Sequence, residues 1–93
     1  DNKRAFNFCD KVNIWVEKKG MVRINGNVEG EWYNDNLGHT HQYVSLLEVL
    51  DGEKYVVDHI LPHKDGNKTI LSNGEITTRE YNSWKSARLP EYV

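Results

Sequence analysis

Ninety-three residues, 38% of them hydrophobic and 28% charged with both signs mixed, suit one small globular domain and exclude a disordered or collagen-like chain. A formal net charge of −2 lacks the bulk basic footprint that nucleic-acid binding normally leaves. The single cysteine, Cys9, excludes an intrachain disulfide and a four-cysteine zinc site, so any metal would have to be held by His, Asp, Asn or Glu.

Along the chain, Ala5, Phe6, Phe8 and Val12 recur at helical spacing and suggest a short N-terminal helix within residues 1–11. Val12, Ile14 and Val16 alternate with polar residues like a strand, and Lys18-Lys19-Gly20 supplies a turn. Met21 to Ile24 is a second apolar stretch closed by Asn25-Gly26, a strong hairpin signal, with Val28 to Tyr33 as the return strand and Asn34 to Gly38 as a loop. Gln42 to Leu50 is rich in Val, Leu and Tyr and reads as a strand; Asp51-Gly52 is a second hairpin signal, with Lys54 to Val57 pairing back. Asp58 to His63 leaves that strand, and Pro62 argues against helix there. After a polar loop over residues 64–68 and a short apolar piece, Thr69 to Leu71, the pattern Thr77-Thr78-Arg79-Glu80 resembles a capping box with Thr77 as N-cap. Tyr81 and Trp84 then give one apolar face to a helix spanning residues 78–89 that Pro90 stops. No apolar run reaches the roughly 20 residues needed to cross a membrane. No signal peptide is visible; because the chain opens at Asp1 rather than Met, a processed or trimmed product is expected, so that says little about destination.

The order strand, Asp58-His59, loop, Asn73, helix with Asn82 and Lys85 carries the chemistry. Phosphodiester hydrolysis needs a base to activate water and a hard cation to polarise the phosphoryl oxygen. A histidine titrates near neutral pH, and Asp58 and Asn82 offer oxygen ligands of the kind Mg²⁺ or Mn²⁺ prefers. An Asn side chain both donates and accepts, so Asn73 suits a loop brace.

Val57-Asp-His-Ile-Leu-Pro-His63, Asn73-Gly-Glu-Ile-Thr-Thr78 and Glu80-Tyr-Asn-Ser-Trp-Lys85 together resemble the HNH endonuclease family in its His-Asn-Asn form, over about a third of the chain. The resemblance implies an α+β fold: an antiparallel, β-rich small domain ending in a ββα-metal motif, with residues 1–41 as support and 42–93 as nuclease core. The ββα unit is expected to combine strands near Tyr43–Leu50 and Lys54–Val57 with the C-terminal helix. It implies one divalent cation, Mg²⁺ or Mn²⁺, on Asp58 and Asn82, His59 deprotonating the attacking water, and Asn73 bracing the loop. Lys85 is implied near a phosphate, with His63, Arg88 and Lys68 as further phosphate contacts. DNA is the implied substrate, with RNA as the other choice, and no membrane partner; a homodimer for double-strand breaks, or an inhibitor protein if the domain is a toxin, are further expectations, and a cytoplasmic location is expected. The paired zinc-binding cysteines of many relatives are absent, and the third motif position is Asn rather than His, which favours harder cations.

Two other readings stand beside this one. Cys9, His41 and Asp58 follow the Cys–His–Asp order of papain-like enzymes, in which a histidine activates a thiol and an acid orients the histidine. A non-catalytic nucleic-acid or protein-binding module is the other, and it predicts that His59→Ala is tolerated. Gly38-His39-Thr40-His41 reads as a surface loop rather than a metal site, with a DNA-facing role open to either histidine.

Overall fold

The computed structural model describes residues 4–33, 40–63, 66–86 and 88–91. The expected loop at residues 34–38 lies outside them.

Helix α1 spans Phe8–Glu17, so the stretch from Val12 to Val16 is helix and not the strand its alternation suggested. Capping decides this. Asn7 accepts from the Asp10 amide at 2.8 Å and the Asp10 carboxylate accepts from the Asn7 amide at 2.8 Å, closing a reciprocal box that the apolar alternation does not reveal. Ile14 is then fully buried, and the Trp15 indole donates to the Val44 carbonyl at 2.8 Å.

Strands β1 (Met21–Arg23), β2 (Gly26–Val28) and β3 (Glu31–Tyr33) follow. Asn25-Gly26 does not turn a hairpin. The turn falls at Glu29-Gly30, whose φ values of 54° and 88° place both residues in the left-handed region a two-residue hairpin loop requires. Strand β4 covers only His41–Tyr43; Ser45 then caps helix α2 (Leu46–Leu50), accepting from the Glu48 amide at 3.3 Å, so the expected strand over residues 42–50 is half helix. Asp51-Gly52 accordingly links a helix to strand β5 (Tyr55–His59) and is not a hairpin turn, and the strand retains Asp58 and His59 as its last two residues. A one-turn 3₁₀ segment at Leu71–Asn73 leads into β6 (Gly74–Thr78) and helix α3 (Arg79–Lys85), and β7 (Pro90–Glu91) ends the described chain. The N-cap of α3 is Thr78, accepting from the Tyr81 amide at 3.0 Å, one residue later than the capping pattern suggested. The helix ends at Ser86, where φ is 52°, four residues before the proline expected to stop it.

A four-stranded sheet runs β4-β1-β6-β5, antiparallel except for the parallel β1–β6 pair, and a three-stranded antiparallel sheet runs β3-β2-β7. With three α-helices among the described residues this is an α+β fold. The pair β5–β6 followed by α3 forms a ββα unit; the expected strand at residues 54–57 falls in β5, while its partner is Gly74–Thr78 and not the stretch near residues 43–50. Among the described residues no helix is long and apolar enough to cross a membrane.

Alternation along the strands gives the four-stranded sheet two unlike faces. One carries Val22, Tyr55, Val57 and Ile76 and packs with Ile14, Val44 and Val49 into the core. The other carries Arg23, Asp58, Glu75 and Thr77 and faces α3. Gly74 sits where α1 presses closest: a Cβ there would lie 2.5 Å from Ile14 Cδ1 and 3.1 Å from Phe6 Cζ. Gly74→Ala is therefore expected to destabilise the domain by about 1–3 kcal/mol, as overpacking does. Thermal unfolding checks this, and an unchanged Tm would mean that α1 is not seated as described.

Candidate functional site

The site assembles at the C-terminal end of β5. Asp58 lies directly across from Glu75, and His59 across from Gly74. Consecutive strand residues point to opposite faces, so Asp58 turns towards α3 while His59 turns towards the α1 side. There the Phe6 ring covers it, centroids 4.9 Å apart, and the His63 ring lies 5.3 Å away. His59 Nε2 and the Thr69 hydroxyl are 2.8 Å apart. Burial, reinforced by His63 and opposed by Asp58, lowers the His59 pKa from its ordinary value. The imidazole is thus held as a neutral base at neutral pH.

The chain between the two strands is held in shape by Asn73. Its Oδ1 accepts from the Leu61 amide at 2.9 Å, and its Nδ2 donates to the Leu61 and Lys68 carbonyls at 3.1 and 2.9 Å. Its backbone carbonyl accepts from the Ile60 amide at 2.9 Å. One side chain therefore ties the start of the loop to its end and sets where Thr69 meets His59. Asn73→Ala removes three side-chain hydrogen bonds, and a cost of about 2–3 kcal/mol is expected from roughly 1 kcal/mol each. Hydrogen exchange should show it as lost protection at the Leu61 amide; retained protection would mean the loop holds itself.

From α3, the Asn82 side chain meets Asp58. Its amide group lies 3.1 Å from Oδ1 and 3.2 Å from Oδ2 of the carboxylate. With nitrogen turned inward, Asn82 donates to both oxygens. With oxygen turned inward, the two side chains offer oxygens at the separation expected of neighbouring ligands on Mg²⁺, about 3.0 Å for bonds of about 2.1 Å at right angles. These donors fit a hard cation that keeps most of its waters. Among the described residues no three His, Cys, Asp or Glu side chains cluster as a metal site.

Lys85 corrects the sequence reading. It was expected to face a phosphate, but it is 1% exposed and turned inward. Its ammonium donates to Asp58 Oδ2 at 2.7 Å, to the His59 carbonyl at 2.7 Å and to the Ile60 carbonyl at 3.3 Å, which uses all three of its donors. A lysine at this helix position reads the same in sequence whether it meets solvent or a buried carboxylate. Arg88, 45% exposed, lies 4.0 Å from Glu29 and 3.7 Å from Glu31 on the β2–β3 hairpin. Lys68 is exposed on the loop beside Thr69, and His63 stands next to His59, so these two remain beside the site.

The Cys–His–Asp constellation does not assemble. His41 on β4 and Asp58 on β5 occupy opposite edges of the four-stranded sheet, three strand spacings or about 14 Å apart. Cys9 is exposed on α1, across the sheet from Asp58. His41 instead lines a cavity of about 440 Å³ with Lys18, Arg23, Ile60 and Glu75, and His39 lies outside the described residues. A roomier cleft of about 710 Å³ sits at the opposite end of β5, with Glu48, Glu53 and Glu80 mixed with Lys54 and Arg79 in its lining.

Sequence reasoning missed Thr69, Phe6 and Glu75. Thr69 stands ten residues from its histidine at no motif spacing, and Phe6 reaches it only because α1 packs across the sheet. Comparison of the chain with protein-family models, curated proteins and solved structures finds no match.

Proposed function

We propose that this domain is a metal-dependent endonuclease of the HNH type, hydrolysing phosphodiester bonds, with DNA as the favoured substrate. The observation that carries the proposal is the meeting of Asp58 and Asn82, one from a strand and one from a helix; His59, the next residue of the strand, has a lowered pKa and presents its imidazole to the other face. Two hard oxygen donors and a neutral base are the minimum for water attack on a phosphate.

His59 Nε2 lies 2.8 Å from the Thr69 hydroxyl, and in the tautomer that donates its Nε2–H to Thr69 the Nδ1 lone pair would take the proton from water. The water oxygen bonds to phosphorus, the bond from phosphorus to the leaving deoxyribose oxygen breaks, and that oxygen takes a proton from solvent. Asp58 and Asn82 would hold Mg²⁺ or Mn²⁺, which would polarise the phosphate and offset charge on the leaving oxygen. Asn73 fixes the loop on which Thr69 is presented. Lys68 and His63 are the cationic or titratable neighbours available to the substrate backbone.

The test is nicking of supercoiled plasmid by the purified domain with Mg²⁺ or Mn²⁺, set against EDTA and against Asp58→Ala. Nicking that needs the metal and Asp58 supports the reading. Cleavage of RNA alone would change the substrate and keep the chemistry. Failure to cut either polymer would overturn it.

A further inference from the structure

Glu75 stands directly opposite Asp58 in the sheet and is only 5% exposed. Its Oε1 accepts from Arg23 Nε at 2.9 Å, while its Oε2 accepts no hydrogen bond among the described residues. A buried carboxylate oxygen without a donor is costly, because its hydration is lost and nothing replaces it. The Lys85 ammonium lies 4.0 Å from that oxygen and sits instead at 2.7 Å on Asp58 Oδ2. Two acidic oxygens thus lie near one ammonium, and it is seated on the carboxylate that the Asn82 amide also meets.

We infer that Lys85 is a displaceable counter-ion of Asp58, and that Glu75 Oε2 is the second berth it moves to when a divalent cation binds Asp58 and Asn82. The inference rests on the metal-site reading above. The movement is small. Closing 4.0 Å to hydrogen-bond length takes a shift of about 1 Å, which the flexible lysine stem allows while the ammonium keeps its bonds to the His59 and Ile60 carbonyls. An arriving dication repels the ammonium and replaces it at Asp58. The Glu75 oxygen gains the donor it lacks, which offsets the loss of the Lys85–Asp58 contact. Because Lys85 holds the His59 and Ile60 carbonyls in both positions, the backbone bearing the base stays in place during the exchange. Lys85 is in this sense a positioning residue for the site, and Glu75 sets its metal affinity without touching the metal.

The experiment measures Mn²⁺ binding by electron paramagnetic resonance on the whole domain, without nucleic acid, for wild type, Glu75→Gln and Lys85→Met. Glu75→Gln keeps size and shape but removes the charge of the second berth, so Lys85 stays on Asp58 and Mn²⁺ affinity should fall about tenfold. Lys85→Met removes the competitor, so affinity should rise by a similar factor. A merely structural lysine predicts the reverse: weaker binding in Lys85→Met and no change in Glu75→Gln, and that pattern would overturn the exchange. If Lys85→Met does not fold, Glu75→Gln is joined by a direct readout. The ¹⁵N resonance of the Lys85 ammonium should shift on Mg²⁺ titration of the wild type and stay fixed in Glu75→Gln; equal shifts in both would also overturn it. Absence of Mn²⁺ binding by the wild type would remove the metal-site reading as well. Normal binding that is indifferent to both substitutions would remove this inference alone.

Discussion

Replacement of His59 by alanine is expected to lower the rate of phosphodiester cleavage by about 10²–10⁴-fold, the range a positioned general base contributes. The fold should survive. The imidazole is half-buried, its polar tie is to one threonine hydroxyl and its apolar contact is the face of Phe6. Losing these removes about one neutral hydrogen bond and part of one ring contact, roughly 1 kcal/mol each at most. Asp58, Asn82 and Lys85 hold one another without His59, so Mn²⁺ binding should be unchanged. Single-turnover cleavage, thermal unfolding and Mn²⁺ titration on the same preparation separate the three effects. Full cleavage by His59→Ala would sink the mechanism, whereas lost cleavage with lost metal binding would make His59 a structural support and not a base.

The pH dependence follows from the same environment. His59 has its pKa lowered below 6.5, chiefly by burial and then by His63. A base is active when unprotonated, so cleavage at saturating metal should reach half its plateau only below pH 6.5. For stability, a base whose folded pKa is lowered binds protons more readily when unfolded. Its contribution is complete above the unfolded value near 6.5 and is lost as pH falls through the lower folded value. His41, lowered first by desolvation and then by Arg23, acts in the same direction. Thermal unfolding from pH 7.5 to 5 should therefore show a Tm that declines below pH 6.5, less steeply in His59→Gln. A decline centred above pH 7 would contradict the lowered value.

The C-terminal half was more legible than the N-terminal half, and for a physical reason. Asp58, Asn82 and Lys85 come together because two antiparallel strands and the next helix are local structures, and sequence spacing fixes their relative positions. The strand and helix readings failed where a cap outranked periodicity. Val12, Ile14 and Val16 alternate, yet the reciprocal Asn7–Asp10 bonds start a helix before them. Ser45 does the same to an apolar run rich in strand formers. Hairpin dipeptides misled because Asn25-Gly26 and Asp51-Gly52 sit at the ends of elements whose partners lie elsewhere in the chain: β1 pairs with β4 and β6, and β5 with β6. Which way Lys85 points was not legible at all, since that depends on a carboxylate 27 residues away in the sequence.

That buried ammonium also governs stability. Lys85→Met is expected to cost about 3–5 kcal/mol, because it leaves Asp58 and Glu75 facing each other across the sheet with one counter-ion removed. For a domain of this size the corresponding fall in Tm exceeds about 10 °C. The cost belongs to the uncompensated charge more than to the pair itself, which a double-mutant cycle can separate. Asp58→Asn alone leaves the ammonium with the His59 and Ile60 carbonyls and with Glu75 at 4.0 Å, Lys85→Met alone strands the Asp58 carboxylate, and the two together remove both charges. The double variant should therefore be more stable than the sum of the single losses allows by at least about 1.5 kcal/mol. Arg23 remains on Glu75 throughout, at 2.9 Å, so the second carboxylate keeps one partner in every corner of the cycle. Denaturant unfolding of the four proteins without added metal is the measurement. Additivity within about 0.5 kcal/mol would mean that Lys85 stabilises the fold through the His59 and Ile60 carbonyls and not through Asp58. Strong coupling would instead make Asp58 the seat of the ammonium, and any cation binding there must first compete with it.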